Sequence, residues 1–486
     1  MKVFVAVAIC KILYFIGRRV GRGSSLPGQV ALRVCPGALK RLRLPERIVA
    51  VTGSNGKTST VEYLAHALEA SGLSVGWNRE GSNQIEGVAT LLLRIATFGG
   101  KVKRDALVLE CDERYAKAIF EAVKPTVLVV TNLCRDQLTR NGHYEFISDC
   151  IRSAIEAAGA GVTLVLNADD PYVAALWDSQ SEIRCFLFGI ARQADEPAIR
   201  IGIARQTDEP PTRVGTYDDG AFCPVCKGRM TYGYRIAAHY GAFCCGACGH
   251  SRSKPDIEVI ALDLSSGGIT LAQNIAGQGS AKQEGITAAL PSDIAAEPPP
   301  CFTTRLQLPG IAGAYNLAAA VAAAVVVGVG AETAALALDG YELEGGRTIR
   351  FSAGGRDGIL LISKHENSLS YNQSMEWIVR QRRPCTVIVM VDSISRKYYT
   401  SETSWLWDVD FDILGGDCVR HVVLVGRYCN ELMARFAMSA VEPGKITLVT
   451  DFSTLRASVE KCGAEALYAI TCFADKAKLL TSFSAR

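Results

Sequence analysis

The stretch VTGSNGKTST, Val51–Thr60, combines the residue types that hold a polyphosphate. Gly53 and Gly56 let the backbone turn tightly and come close to phosphate oxygens, so that main-chain N–H groups and a helix N-terminus face an anion. Lys57 is long enough to reach β- and γ-phosphates, and the Thr58 hydroxyl suits a Mg²⁺ ligand. A glycine-rich turn with an incidental lysine is the bland alternative. The stretch sits where a phosphate loop belongs, after the apolar strand RIVAVT (Arg47–Thr52) and at the start of a helical pattern from Thr58 to about Ala70.

Carboxylates and amides follow at later strand ends. Glu110 closes an apolar run in LVLECDE, placed to ligate Mg²⁺ directly or through water. Such a residue alone is as often structural; beside a phosphate loop it reads as functional. TNLCRDQLTRNG, Thr131–Gly142, follows a second strand end. Asn167 and Asp169 in NADDP follow a third, where nucleotide contacts are expected in an α/β sheet.

A separate cluster points to a metal. Cys223-Pro-Val-Cys226 and Cys245-Gly-Ala-Cys248 are two C-x₂-C knuckles with 18 residues between them, spacing that suits a tetrahedral structural Zn²⁺ site. Cys244 adjoins Cys245 as a competing ligand; symmetry with the first knuckle favours Cys245. Four thiolates leave no open position for catalysis. Lys227, Arg229, Arg235 and Arg252 are too sparse for a nucleic-acid ribbon, and the chain's net charge is only +3.

The elements that must position these groups read as α/β. Buried-strand runs at Asp105–Glu110, Thr126–Thr131 and Val162–Asn167 alternate with helical stretches, which argues a mostly parallel sheet covered on both faces. A second such pattern starts at Arg350, with strands at Gly358–Ser363, Thr386–Asp392, His421–Gly426, Lys445–Thr450 and Glu465–Thr471. It lacks a dinucleotide fingerprint and predicts a Rossmann-like C-terminal domain. FGIARQADEP at Phe188–Pro197 recurs 13 residues later as IGIARQTDEP, a local loop duplication, and residues 277–300 read as a flexible excursion.

The chain's 486 residues exceed one ordinary core, and 49% hydrophobic with 21% charged residues is a globular composition. Most of the 17 cysteines stand singly in apolar runs (Cys111, Cys134, Cys185, Cys385, Cys472), as in a reducing cytosol. The N-terminal Val3–Cys10 run is broken by Lys11 and followed by Arg18 and Arg19; it is too short and charged for a membrane span, and no small-residue cleavage site follows. A basic amphipathic helix is expected, either packed on its own domain or touching a membrane surface.

TGSNGKTST, LVLECDE, TNLCRDQLTRNG and LNADDP, in this order, resemble the central ATPase domain of the Mur ligases. GAYNLAAAVAAA (Gly313–Ala324) and EGGR (Glu344–Arg347) resemble that domain's later motifs. The inserted zinc ribbon, LPGQVALRV (Leu26–Val34), NREGSN (Asn78–Asn83) and SETSWLWDVDFDIL (Ser401–Leu414) are similar to the MurT branch, so the resemblance spans nearly the whole chain. Gln137 stands where many Mur ligases have His, as in that branch.

The resemblance implies an N-terminal amphipathic segment over 1–45, a Mur-ligase-type P-loop central domain over 46–347 with the zinc ribbon at about 219–252, and a partner-contacting Rossmann-like domain over 348–486. It implies ATP held by Gly53, Asn55, Gly56, Lys57, Thr58, Ser59, Asn167, Asp169, Asn316 and Arg347, with Mg²⁺ on Thr58 and Glu110 and catalysis by Lys57 and Glu110. The implied reaction is amidation of the D-Glu α-carboxylate in the lipid II stem peptide to D-isoglutamine, through an acyl phosphate attacked by ammonia from a GatD-like glutamine amidotransferase. The expected location is the cytoplasm, at the inner membrane face if the N-terminal helix touches the membrane rather than its own domain.

In that branch an acidic residue of the C-terminal domain completes the partner's Cys–His pair. The family's Asp-Thr-Ser-Trp reads Glu402-Thr403-Ser404-Trp405 here; Glu is one methylene longer and can still orient a histidine, with Asp408 and Asp410 as alternatives. Lys364-His365-Glu366-Asn367 replaces the family's Lys-Asn-Pro. Two competing readings are a stand-alone amino-acid ligase of the Mur/folylpolyglutamate group and a scaffold with a decayed site. The ribbon and the SETSW segment argue against the first, the intact TGSNGKTST and Glu110 against the second.

Overall fold

The computed structural model describes residues 2–17, 19, 24–79, 82–134, 144–193, 219–237, 239–264, 266–274, 298–307, 310–344, 348–393 and 403–484. The chain divides into two compact units, one built from residues 1–134, 145–197 and 221–343 and the other chiefly from residues 344–486. Part of the decapeptide repeat and most of the 277–300 excursion lie outside the described residues.

The first unit is organised on a nine-stranded sheet. Its strands are β1 (Arg47–Thr52), β2 (Val75–Trp77), β3 (Ala106–Glu110), β4 (Val127–Val130), β5 (Thr163–Asn167), β6 (Cys185–Ile190), and, after a separate hairpin of β7 (Met230–Ala237) and β8 (Tyr240–Cys245), β9 (Ile257–Leu262), β10 (Gly268–Gln273) and β11 (Cys301–Arg305). The order is β11-β10-β9-β6-β5-β4-β1-β3-β2. Pairing is parallel from β2 through β9 and antiparallel at β10 and β11. The central strands are buried throughout (ALVLE in β3, VLVV in β4), as expected where helices cover both faces of a parallel sheet.

Among the helices that pack around this sheet and at the N-terminus are α1 (Lys2–Gly17), α2 (Leu26–Val34), α3 (Lys57–Ala70) and α4 (Ile85–Ile95). The alanine-rich Ile311–Val326 helix runs along α3, its small side chains letting the two backbones approach. At the N-terminus α1 packs on α2 and α4. Cys10 is buried there with its thiol 3.6 Å from the Thr90 carbonyl, and Gly28 N donates to Thr90 Oγ1 at 2.8 Å. No helix among the described residues is long and apolar enough to cross a membrane.

The second unit carries a six-stranded sheet in the order β12-β13-β17-β14-β15-β16, from β12 (Thr348–Ala353), β13 (Arg356–Ser363), β14 (Cys385–Met390), β15 (Val419–Val425), β16 (Ile446–Val449) and β17 (Ala466–Cys472). β12 is an antiparallel edge; the rest are parallel. Side chains alternate across the sheet with period two. Val387, Val389 and Leu424 face a core with Met375, Phe436 and Trp405, while Ile388, Met390 and Val423 face one with Leu455, Leu479 and Phe483. Both domains are thus the doubly covered α/β layers expected from the apolar runs.

Candidate active site

β1 delivers the chain into residues 53–56, and α3 leaves from them. Gly53 has φ of 126° and Gly56, the residue capping α3, φ of 81°. A Cβ at Gly53 would lie 2.3 Å from Thr131 Oγ1, and one at Gly56 only 2.0 Å from Asn316 Oδ1. Both positions therefore need glycine for backbone and space alike.

The end of β4 clasps this loop. Ser54 N donates to the Asn132 carbonyl at 2.8 Å, Asn55 N to Asn132 Oδ1 at 2.9 Å, and Thr131 Oγ1 to the Asn55 carbonyl at 2.7 Å. Asn55 Nδ2 lies 3.1 Å from Cys134 Sγ. The TNLC segment thus fixes the loop; Arg135, Asp136 and Gln137 beyond it lie outside the described residues.

Lys57 is buried, donates to the Gly53 carbonyl, and lies 2.6 Å from Glu113 Oε1. Thr58 is exposed and Ser59 half-buried at the first turn of α3, which carries no acidic residue. A buried lysine, an accessible hydroxyl and a helix N-terminus without negative charge form a donor set that fits a nucleotide phosphate with its Mg²⁺.

Glu110 sits at the end of β3, in register with Val51 of β1. Asn78 holds its backbone through Oδ1 and Nδ2 at 2.8 and 3.0 Å, and Asn83 Nδ2 donates to its Oε1 at 3.2 Å. NREGSN thereby contributes its two end asparagines to the setting of this carboxylate. Asp112 and Glu113 are buried beside it.

Asn167 and Asp169 are turned inward. Asn167 Nδ2 donates to the Thr131 carbonyl at 3.1 Å, tying β5 to the clasp. Asp169 is fully buried and accepts from Arg252 Nε at 2.6 Å, Ile190 N at 2.7 Å and the Tyr315 hydroxyl at 2.8 Å. This geometry gives Asp169 an internal role: it joins β6, the segment after the cysteine hairpin, and the Ile311–Val326 helix. The neighbouring Asn316 contributes its amide oxygen above Gly56. Asp170 caps Pro171–Ala174 and accepts from Leu133 N at 2.7 Å.

The cysteine hairpin brings Cys223, Cys226, Cys245 and Cys248 together, with all four sulfurs within 4.8 Å of one another. The Cys223–Cys248 and Cys226–Cys245 pairs stand 3.6 and 3.5 Å apart. Tetrahedral thiolates about 2.3 Å from Zn²⁺ have edges of about 3.8 Å, so the set fits that ion. Backbone N–H groups of Cys248 and Ala247 pull the Cys245 thiol down to about 7. Cys244, one position away on β8, lies outside the cluster because strand neighbours point to opposite faces.

In the second unit Trp405 is buried against Tyr371, ring centroids 5.1 Å apart, while Trp407 is exposed. Asp410 accepts from Asp412 N, and Asn372 Oδ1 accepts from Asp410 N at 2.9 Å. Lys364–Asn367 is a helix start: Asn367 Oδ1 caps Ser368–Arg380 by accepting from Ser370 N at 2.8 Å. Glu402 and Arg347 lie outside the described residues.

Sequence reasoning missed Glu113, the Asn78–Asn83 bracket and the Arg252–Asp169–Tyr315 link. Glu113 was legible only as the third acid in ECDE. Nothing in the sequence pairs Arg252 with Asp169, which lie 83 residues apart.

Comparison with known proteins adds the family. Residues 51–220 match the Mur ligase middle domain, and residues 365–475 match the MurT ligase C-terminal domain. The lipid II isoglutaminyl synthase (glutamine-hydrolyzing) subunit MurT of Staphylococcus aureus strain N315 is 25% identical over 444 residues, 91% of this chain and 89% of that protein. The MurT subunit of Streptococcus pneumoniae strain R6 is 27% identical over 467 residues, 95% of this chain and 92% of that one. Among solved structures, a pseudomurein peptide ligase type C from Methanothermus fervidus superposes with a TM-score of 0.62 at 18% identity, over 92% of this chain and 80% of that one; this likeness concerns the fold.

Proposed function

The chain belongs to the MurT-type Mur ligases, and from that premise we propose that it is the ATP-using subunit of a lipid II isoglutaminyl synthase. The observation that carries this reading is the juxtaposition of the 53–58 loop, buried Lys57 and the strand-end Glu110 in a chain similar to MurT subunits along nearly its whole length.

In this reading the loop N–H groups and Lys57 bind the phosphates of ATP, and Asn316 and the Asn132 clasp hold the loop's shape. Thr58 and Glu110 would hold Mg²⁺, which would supply positive charge against the transferring phosphoryl group. An oxygen of the D-Glu α-carboxylate attacks the γ-phosphorus, the bond to ADP breaks, and an acyl phosphate forms. Ammonia then attacks the carbonyl carbon; inorganic phosphate leaves with the C–O bond and a proton is lost, giving the amide of D-isoglutamine. Ammonia would come from a GatD-like glutaminase contacting residues 348–486, with Glu402 orienting the partner's histidine. We assign the central domain to 46–347, after an N-terminal segment of 1–45, with Asn167 and Asp169 shaping the nucleotide site from behind and Arg347 as a further nucleotide contact. The cysteine cluster holds a structural Zn²⁺.

The test is ATP- and glutamine-dependent amidation of lipid II by this chain with its co-encoded amidotransferase. Mass spectrometry should record a loss of about 1 Da per stem peptide, abolished by Lys57→Ala. Product with free ammonia alone would keep the ligase site and move the fault to the Glu402 contact. No product under either condition would overturn the amidation reading in favour of another ligase substrate or a scaffold.

A further inference from the structure

α1 is apolar on both sides, yet only one side is covered. Ala6, Val7, Cys10 and Gly17 are buried against the unit, whereas Phe4, Val5, Ile12, Phe15 and Ile16 are 54, 38, 60, 61 and 53% exposed. At about 100° per residue these five fall within an arc of about 120°. Lys11 stands at one edge of that arc and Lys2 at the other, and Arg19 follows the end of the helix. A helix with apolar residues all round is normally buried, and a contiguous exposed apolar face marks an interaction site.

The surroundings extend the same chemistry. The Phe4 ring lies 5.2 Å from the ring of Phe98, itself 51% exposed, and Lys11 Nζ is 5.6 Å from that second ring. The Arg19 guanidinium lies over Phe15 at 4.3 Å. A cleft beside the helix start runs between Val5 and Val34, with Lys2 and Arg41 in its walls. Nine of the chain's 52 Lys and Arg residues fall in the first 45 positions, which hold no Asp or Glu; beyond position 45 the balance reverses, 43 cations against 49 anions.

We infer that α1 is a membrane-docking helix that lies in the plane of an anionic bilayer surface. The arc of Phe4, Val5, Ile12, Phe15 and Ile16 enters the headgroup boundary, and Lys2, Lys11 and Arg19 pair with lipid phosphates. Charge complementarity selects this occupant: a bilayer with anionic headgroups meets both the apolar arc and its cationic rims. With 16 residues, α1 lies on the surface and does not span it. The inference deepens the proposed function, and rests on it, in giving a ligase for a lipid-linked substrate its contact with the membrane.

The experiment is co-sedimentation of the full-length chain with phosphatidylcholine vesicles containing about one-third phosphatidylglycerol, and with phosphatidylcholine alone. The chain should sediment with the anionic vesicles and remain largely in the supernatant with the neutral ones or at about 0.5 M salt. Ile12→Ser with Phe15→Ser should lower the partition coefficient at least about tenfold, as should Lys2→Glu with Lys11→Glu. Thermal unfolding midpoints should match the parent, since these side chains lie mainly outside the core. Wild-type protein that stays in the supernatant, or variants that bind as wild type, would overturn the inference. So would a change from dimer to monomer in the Ser variant with vesicle binding unmoved, which would assign the face to a second copy. Amidation of detergent-solubilised lipid II, run in parallel, separates the outcomes: activity without vesicle binding removes the docking helix alone, and binding without activity removes the ligase reading alone.

Discussion

The ammonium of Lys57 lies 2.6 Å from Glu113 Oε1, with both residues buried beneath the phosphate loop. The lysine that should neutralise a phosphoryl group is thus already held by a carboxylate, so phosphate and Glu113 share one cation. Lys57→Met should cut ATP turnover by about 100-fold or more, as loss of a buried charge on a transferring phosphoryl group does. Glu113→Gln should lower the unfolding temperature without nucleotide, because the buried ammonium loses compensating charge. Bound ATP should restore it, so the stabilisation on adding ATP should be larger in Glu113→Gln than in the parent. Equal shifts in scanning calorimetry would dissociate the two roles.

The sulfur cluster makes a residue-by-residue prediction. Serine at Cys223, Cys226, Cys245 or Cys248 should abolish stoichiometric zinc by elemental analysis, whereas Cys244→Ser should keep it. Acid should release the metal, since each thiolate must take up a proton to leave it. Zinc retained by Cys245→Ser but lost from Cys244→Ser would reverse the ligand choice.

Glu110 tests the metal at the other site. Its backbone is held by Asn78 and one carboxylate oxygen by Asn83, so Glu110→Gln should leave the fold in place while removing charge. Activity should fall about 10- to 100-fold and shift to higher Mg²⁺, the pattern expected of a lost hard oxygen ligand. A Mg²⁺ titration of ATP turnover reads this directly, and an unshifted midpoint would move the metal elsewhere.

How far these sites were legible depends on which physical signal marked each residue. Arg47–Thr52 and the Cys-x₂-Cys pairs are local patterns, and their elements stand where the spacing puts them. β9, β10 and β11 were missed because IEVIAL, GITLAQ and CFTTR flank the parallel sheet with half-exposed faces, where no continuous apolar run forms. The pairing of Glu113 with Lys57 was illegible for another reason: it depends on how the ECDE turn leaves β3, which composition does not encode. Asp169 looked like a nucleotide contact by its place after β5, but its carboxylate is engaged by Arg252, Ile190 and Tyr315, none of them near it in sequence.

The Asp169 network predicts a mechanical link between the cysteine hairpin and the sheet. Arg252 follows Cys248 by four residues and binds both Asp169 and Glu258, at 2.6 and 2.9 Å. Arg252→Met removes the cation from a fully buried carboxylate, a change that typically costs about 3–5 kcal/mol. Denaturant unfolding should show that loss, and Asp169→Asn with Arg252→Met should recover part of it, since the double change leaves no buried charge at that contact. Full additivity of the two losses would mean that the residues stabilise the fold independently.

Gly56 offers the sharpest steric test. Its φ of 81° disfavours any L side chain by about 1–2 kcal/mol, and the added methyl would meet Asn316 Oδ1 at 2.0 Å. The two costs can be separated. Gly56→Ala should destabilise the fold by more than the backbone term alone and abolish ATP binding in titration calorimetry, because the loop must shift to relieve the contact. Adding Asn316→Ala removes the steric part and leaves the backbone part. The double variant should therefore be more stable than Gly56→Ala, by an amount that measures the clash, while ATP binding stays weak because the loop conformation remains strained. If Asn316→Ala gave no recovery, the amide would not be the group that closes over the phosphate loop, and its place in the nucleotide site would have to be given up.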